Sequence, residues 1–83
     1  MEFSEASFLL YNIPNINDRL DKIIEELELD VTTPRKRINK RRKVLHQIKE
    51  YLMKHPLPNE YYENYDSESI FDWVVKNIKF CKN

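Results

Sequence analysis

Apolar residues recur at three- and four-residue steps through most of this chain, the spacing that gathers side chains on one face of an α-helix. Ile16, Leu20, Ile23, Ile24 and Leu27 mark one such face, with Asn17 placed to cap it, and predict a helix over 17–30. Ile38, Val44, Leu45, Ile48, Tyr51 and Leu52 mark a second, over 34–55. Its start carries a strong local signal: the Thr33 oxygen suits a cap, and Pro34 suits the first helical position, where a missing amide costs nothing. His55 and Pro56 end it. Ile70, Phe71, Trp73, Val74, Val75, Ile78 and Phe80 predict a last helix over 67–80, starting at Asp66 or Ser67. Their apolar arc covers well over half the circumference, broader than the roughly 100° stripe that one side of a bundle needs. That width predicts a central position for the last helix, with a partner or dimer surface as the other use for the spare face.

Two segments are less regular. Ser4 to Tyr11 reads as a short N-terminal helix, 4–11, capped by Ser4 and broken by Pro14 and Asn15, although Phe8 to Ile13 is apolar enough to run extended. Pro56 to Tyr65 has two prolines, three tyrosines and no helical period, and reads as a connector held down by its rings.

Composition narrows the fold class. The chain has no glycine, where average usage of about 7% predicts about six, and Ala6 is its one alanine. Without glycine to supply positive backbone angles, tight β-hairpins, P-loops and dinucleotide fingerprints are all disfavoured. The expectation is an all-α fold: a small bundle of three main helices with a short N-terminal one, formed by 83 residues as a single helical domain. Met1, Glu2, Phe3 and Ser4 do not open a leader peptide, and no apolar stretch approaches about 18 residues, so the expected location is intracellular, cytoplasmic or nuclear, with no membrane contact. Asn, Ile and Lys supply 25 of the 83 residues, a bias that accompanies AT-rich coding sequence and points toward a virus, phage or AT-rich microbe. Cys81, the sole cysteine, leaves no internal disulfide or thiolate zinc site and reads as a residue of the terminal helix.

Charge then changes the picture. The formal net charge is zero, yet residues 35 to 43 hold seven bases in nine positions: Arg35, Lys36, Arg37, Lys40, Arg41, Arg42 and Lys43. Glu25, Glu26, Glu28 and Asp30 crowd the end of the preceding helix. Both groups sit at the wrong ends for the helix dipole, which favours acids at N-termini and bases at C-termini. Folding the two helices into a hairpin would let each group screen the other and would leave a local excess of three bases. By helical pitch, Lys36, Lys40 and Lys43 fall opposite Ile38, Leu45 and Leu52 and should reach solvent, while Arg41 falls inside the apolar arc. Ile38 is the one apolar residue between Arg35 and Lys43, so the first turns look poor in core contacts, as if projecting past the bundle.

A projecting basic helix suits nucleic acid, with cations neutralising phosphates and Asn39 bearing the right groups for adenine. The candidate nucleic-acid site is Arg35, Lys36, Arg37, Asn39, Lys40, Arg42 and Lys43. A helix-turn-helix over Ile23 to Leu45 fits weakly, since Glu28 and Leu29 stand where glycine usually makes the turn and Arg41 interrupts the second helix's core face. A nuclear-localisation string would be flexible, whereas Thr33-Pro34 predicts order, and a membrane-surface helix would need more apolar residues opposite the charge. The alternative function is a protein-interaction module, an inhibitor, adaptor or dimerising regulator, contacting its partner through the acidic helix, the connector tyrosines Tyr61 and Tyr62, or Phe71 and Trp73 of the last helix.

Catalytic chemistry finds little support. His46 and His55 have no nucleophile and orienting group placed around them, and both read as surface or packing residues. Asp66, Glu68 and Asp72 could suggest a divalent-ion site, but Asp66 and Glu68 suit a helix start and the chain has no glycine-bearing calcium loop. No catalytic residue, metal, cofactor or small-molecule substrate is expected. The chain reads as a non-enzymatic binding protein.

Overall fold

The computed structural model describes residues 2–63 and 65–80, Tyr62 by its backbone alone. Cys81 and the side chain of Tyr62 therefore lie outside the described residues. All regular structure among them is helical: α1 (Phe3–Tyr11), α2 (Ile16–Glu26), α3 (Pro34–Lys54), α4 (Asn59–Glu63) and α5 (Ser67–Asn77).

The core is one cluster drawn from every main helix. Ala6, Leu9 and Leu10 of α1 meet Leu20, Ile23 and Ile24 of α2, Val44, Ile48 and Leu52 of α3, and Ile70, Phe71 and Val74 of α5, with Ile13 and Leu57 closing it from the links. No polar or charged residue is buried among the described residues, so the core is held by apolar burial and dispersion alone. The hub is α3, which packs against α1, α2 and α5. This corrects the expectation of a central last helix. The breadth of apolar residues there has another cause: α5 stops at Asn77, and Ile78 and Phe80 follow in non-helical backbone, packed at the edge of the core. The Asn77 side chain donates to the Trp73 carbonyl at 2.7 Å, taking up a helix-end acceptor where the chain leaves the helix.

Local signals set the helix starts unevenly. Thr33 caps α3 as its sequence predicts, its hydroxyl oxygen accepting from the Lys36 amide at 3.2 Å, with Pro34 opening the helix. Asp66 caps α5 by accepting from the Glu68 amide at 3.1 Å and the Ser69 hydroxyl at 2.9 Å. The other two predicted caps are wrong. Glu2, without a side-chain bond, precedes α1, and Ser4 lies inside the helix. Asn15, not Asn17, precedes α2, in the left-handed region at φ 55, a conformation asparagine tolerates better than most residues. The connector also contains one helical turn, α4, placing Tyr61 against the core.

The largest boundary difference is at the end of α2, which stops at Glu26 and not near Asp30. The Glu28 amide bonds the Glu25 carbonyl at 3.1 Å and the Leu29 amide bonds the Ile24 carbonyl at 3.2 Å, the paired closure of a Schellman motif. Its left-handed position, normally glycine, is Glu28 at φ 56. Leu29 packs against the core cluster that includes Ile24, the kind of apolar contact that accompanies this stop. The missing glycine that weakens the helix-turn-helix comparison therefore does not prevent the turn. The link to α3 is nonetheless longer than the three or four residues of that motif.

Since a non-glycine residue in this conformation costs about 1 to 2 kcal/mol and the freer unfolded glycine chain offsets about 0.4 to 1 of that, Glu28→Gly should stabilise the fold by about 0.5 to 1 kcal/mol. Thermal melts followed by circular dichroism should show a rise of several degrees. A fall in melting temperature would show that Glu28 makes a compensating contact.

Candidate nucleic-acid interface

The orientation of α3 decides which of its bases face a ligand. Val44, Ile48 and Leu52 are its buried positions, and the line through them runs back through Arg41 and Arg37. Ile38 sits about 120° around the helix from Val44 at 100° per residue, and it is 51% exposed. The apolar face drawn through Ile38 is thus corrected. Lys40 and Lys43, expected in solvent, are half-buried, whereas Arg35, Asn39 and Arg42 are exposed. No residue of the first ten in α3 is buried, as the shortage of apolar residues there predicts.

Charge fills the place of apolar contact on the inner face. Arg41 makes a two-pronged bond to Asp21 of α2, Nε to Oδ1 at 2.8 Å and Nη2 to Oδ2 at 2.6 Å. Arg37 Nη1 lies 3.4 Å from the same carboxylate. One turn earlier, Lys36 Nζ meets Asp30 Oδ2 at 2.8 Å while Asp30 Oδ1 accepts from the Thr32 amide at 3.1 Å. The Arg41 bond holds the Asp21 carboxyl below its ordinary value, outweighing the opposing effect of burial, with Arg37 adding to the shift. Asp21 raises the Arg41 guanidinium in return. Asp30 is pushed down to about 2, first by the Lys36 bond and then by Thr32.

The screening expected from the sequence is present but comes partly from elsewhere. Of the four acids at the end of α2, Asp30 alone pairs with the basic run; Glu25, Glu26 and Glu28 are exposed and form no ion pair among the described residues. Asp21, an acid outside that group, neutralises the other two. A bidentate partner from mid-helix α2 has a sequence signal only in retrospect: Arg41 stands on the apolar arc and needs a counter-charge there.

Four bases remain. Arg35, Lys40, Arg42 and Lys43 have no carboxylate within ion-pair distance among the described residues. Arg35, Asn39, Arg42 and His46 follow one another at steps of four, three and four along the outer face, over about 16 Å of helix. His46 Nε2 lies 2.9 Å from Glu50 Oε1 on the same face. Beside this row Ile38, Leu45 and Arg42 meet Asn17 and Leu20 of α2 around a shallow groove of about 260 Å³. Protein-family models, curated proteins and solved structures give no match to this chain.

The residues named for a protein partner are placed differently. Phe71 is in the core at 4% exposure, so its ring offers no surface patch; the reason is its position on the α5 face that meets Ile70 and Val74. Trp73 is half-buried between two tyrosines, its ring centroid 5.7 Å from that of Tyr51 and 6.3 Å from that of Tyr61. His55 stacks on Tyr51 at 4.2 Å. Glu68 and Asp72 face Arg19 of α2, Glu68 Oε1 at 2.7 Å and Asp72 Oδ1 at 3.9 Å, so this acidic trio caps a helix and ties two helices together. No helix among the described residues is long and apolar enough to cross a membrane.

Most of the aromatic exposure lies on α1, at Phe3, Phe8 and Tyr11, with Tyr65 of the connector exposed as well. The signal for this lies in the spacing: Ala6, Leu9, Leu10 and Ile13 recur at helical steps, and at 100° per residue Phe8 and Tyr11 fall off the face they mark.

Because Asp21 is more acidic folded than unfolded, its stabilising effect is complete above about pH 4 and disappears as pH falls through its folded value; Asp30 behaves likewise, down to about pH 2. Asp21→Asn should cost on the order of 1 kcal/mol at neutral pH, its carboxylate being only partly screened from water, and should flatten the part of the stability loss that Asp21 contributes as pH falls below about 4. Melts across that range check both. An unchanged melting temperature at neutral pH would show that the pair does not anchor α3.

Proposed function

We propose that this chain is a non-enzymatic binding protein that holds nucleic acid, DNA in particular, on the outer face of α3. The observation that carries the reading is the division of the basic run: Lys36, Arg37 and Arg41 are committed to Asp30 and Asp21, while Arg35 and Arg42 stand exposed without carboxylate partners among the described residues. Arg35 occupies the first turn of α3, where a base opposes the positive end of the helix dipole. A phosphate there relieves both the dipole and the repulsion between neighbouring cations. Asn39, exposed between the two arginines, has a donor and an acceptor for a base edge, and half-buried Lys40 and Lys43 flank the row.

Two of the residues named from sequence, Lys36 and Arg37, take supporting parts in this reading, since a phosphate would have to compete with a carboxylate for each. The second reading, a protein-interaction module, is favoured by the exposed rings of α1 more than by Tyr61 and Trp73, which are partly covered.

Gel-shift titrations with a duplex and a single strand of equal length, at low and near-physiological salt, test the proposal. Affinity should fall steeply with salt. Arg35→Glu combined with Arg42→Glu should weaken binding at least tenfold and make the logarithmic salt dependence shallower by about 1.4 to 1.8, two phosphate contacts' worth. Lys76→Glu, on exposed α5 surface, should change neither. Undiminished binding by the double variant rejects the outer face of α3 as the site.

A further inference from the structure

Three large aromatic rings stand out of a nine-residue helix: Phe3 at 51%, Phe8 at 68% and Tyr11 at 72% exposure. Two of them adjoin α3. The Lys49 ammonium lies 5.1 Å from the centroid of Phe3 and 5.5 Å from that of Tyr11. Lys49 is seven residues beyond Arg42, which is seven beyond Arg35. At 100° and 1.5 Å per residue these three cations form a nearly straight line along α3 with about 10 Å between neighbours. None of the three has a carboxylate within ion-pair distance among the described residues. The line of cations ends on the two rings.

Cations in a line follow a phosphate backbone, and exposed aromatic faces stack on bases, a contact open to every base because each has a π face. A wholly apolar partner would leave Arg42 and Lys49 uncompensated. A duplex would satisfy them but hides its base faces inside the stack, leaving Tyr11 and Phe3 nothing to stack upon. Glu2, exposed beside Phe3, puts a negative charge at the far edge of the patch and makes Tyr11 the better placed of the two rings.

We propose that Tyr11, with Phe3 beside it, is a stacking platform at the end of the Arg35, Arg42 and Lys49 line, and that the ligand is single-stranded nucleic acid. This rests on the nucleic-acid reading of α3 and specifies its ligand class. The bases of the strand lie on α1 while its phosphates run along α3.

The test compares two fluorescein-labelled strands of equal length by anisotropy, an oligothymidylate and a strand of abasic residues with the same phosphates. The native chain should bind the oligothymidylate about tenfold more tightly. Tyr11→Ala should lose most of that preference while keeping its affinity for the abasic strand, and Tyr11→Phe should retain it. Circular dichroism confirms that the variants are folded, which the exposure of Tyr11 favours. Equal affinity of the native chain for both strands overturns the platform and leaves the α3 reading standing. Absence of binding to either strand and to a duplex overturns both. A dimer in solution that Tyr11→Ala dissociates also overturns the platform, by giving the α1 rings to self-association.

Discussion

The bond from Asp21 to Arg41 is the constraint on which the disposition of this molecule's charge depends. A helix whose first ten residues include seven bases cannot bury a face there by apolar contact, yet its second half must bury Val44, Ile48 and Leu52. Helical geometry then carries Arg37 and Arg41 inward on the same line. One carboxylate receiving both arginines lets α2 lie along the basic half without stranding a charge against the core. Side-chain exposures of 27% for Arg41 and 23% for Asp21 keep the net gain near that of a good surface pair. Its larger effect is on orientation. A two-pronged bond admits few rotations, so it fixes which side of α3 turns outward.

That orientation is the part of the structure least legible in the sequence. The all-helical fold follows from spacing and from the absence of glycine, and the starts of α3 and α5 follow from Thr33-Pro34 and Asp66 because capping is local chemistry. The outer face of α3 does not follow. Ile38, read by the rule that apolar residues point inward, draws the apolar arc away from Arg37 while Arg41 still falls inside it, and assigns Lys40 and Lys43 to solvent along with Lys36, which alone of the three is exposed. The rule fails at this point because the burial of Val44, Ile48 and Leu52 sets the rotation of α3, and at 100° per residue that leaves the one isoleucine of its sparsely packed end about 120° away from the buried line. The stop of α2 was hidden for a related reason. Glu28 has no intrinsic preference for the left-handed region, and only the tertiary contact of Leu29 selects it.

The underestimated element is α1. Reading it as a minor helix follows from its length, but Ala6, Leu9, Leu10 and the following Ile13 make it a full contributor to the core, and the one alanine of the chain sits fully buried on it. Its contact with α3 is what brings Tyr11 and Phe3 to Lys49. Packing of one face thereby sets the position of the rings on another.

The zero net charge limits how such a surface works. Positive and negative segments are separate along the chain, so a distant polyanion feels little overall attraction, and at physiological salt the field of any one group fades within about 8 Å. Glu25 and Glu26 of α2 and Glu28 in the turn after it remain exposed and weaken it further. Nucleic-acid binding to the outer face of α3, as proposed, would then rest on contacts made at close range: arginine to phosphate, asparagine to base edge, ring to base. In a strongly basic protein long-range charge would dominate and stacking would be an accessory. Here, where long-range attraction nearly cancels, the exposed rings of α1 would, on the proposed reading, supply a contact that salt does not screen, and the short cationic line beside them would mainly set the direction in which a strand lies.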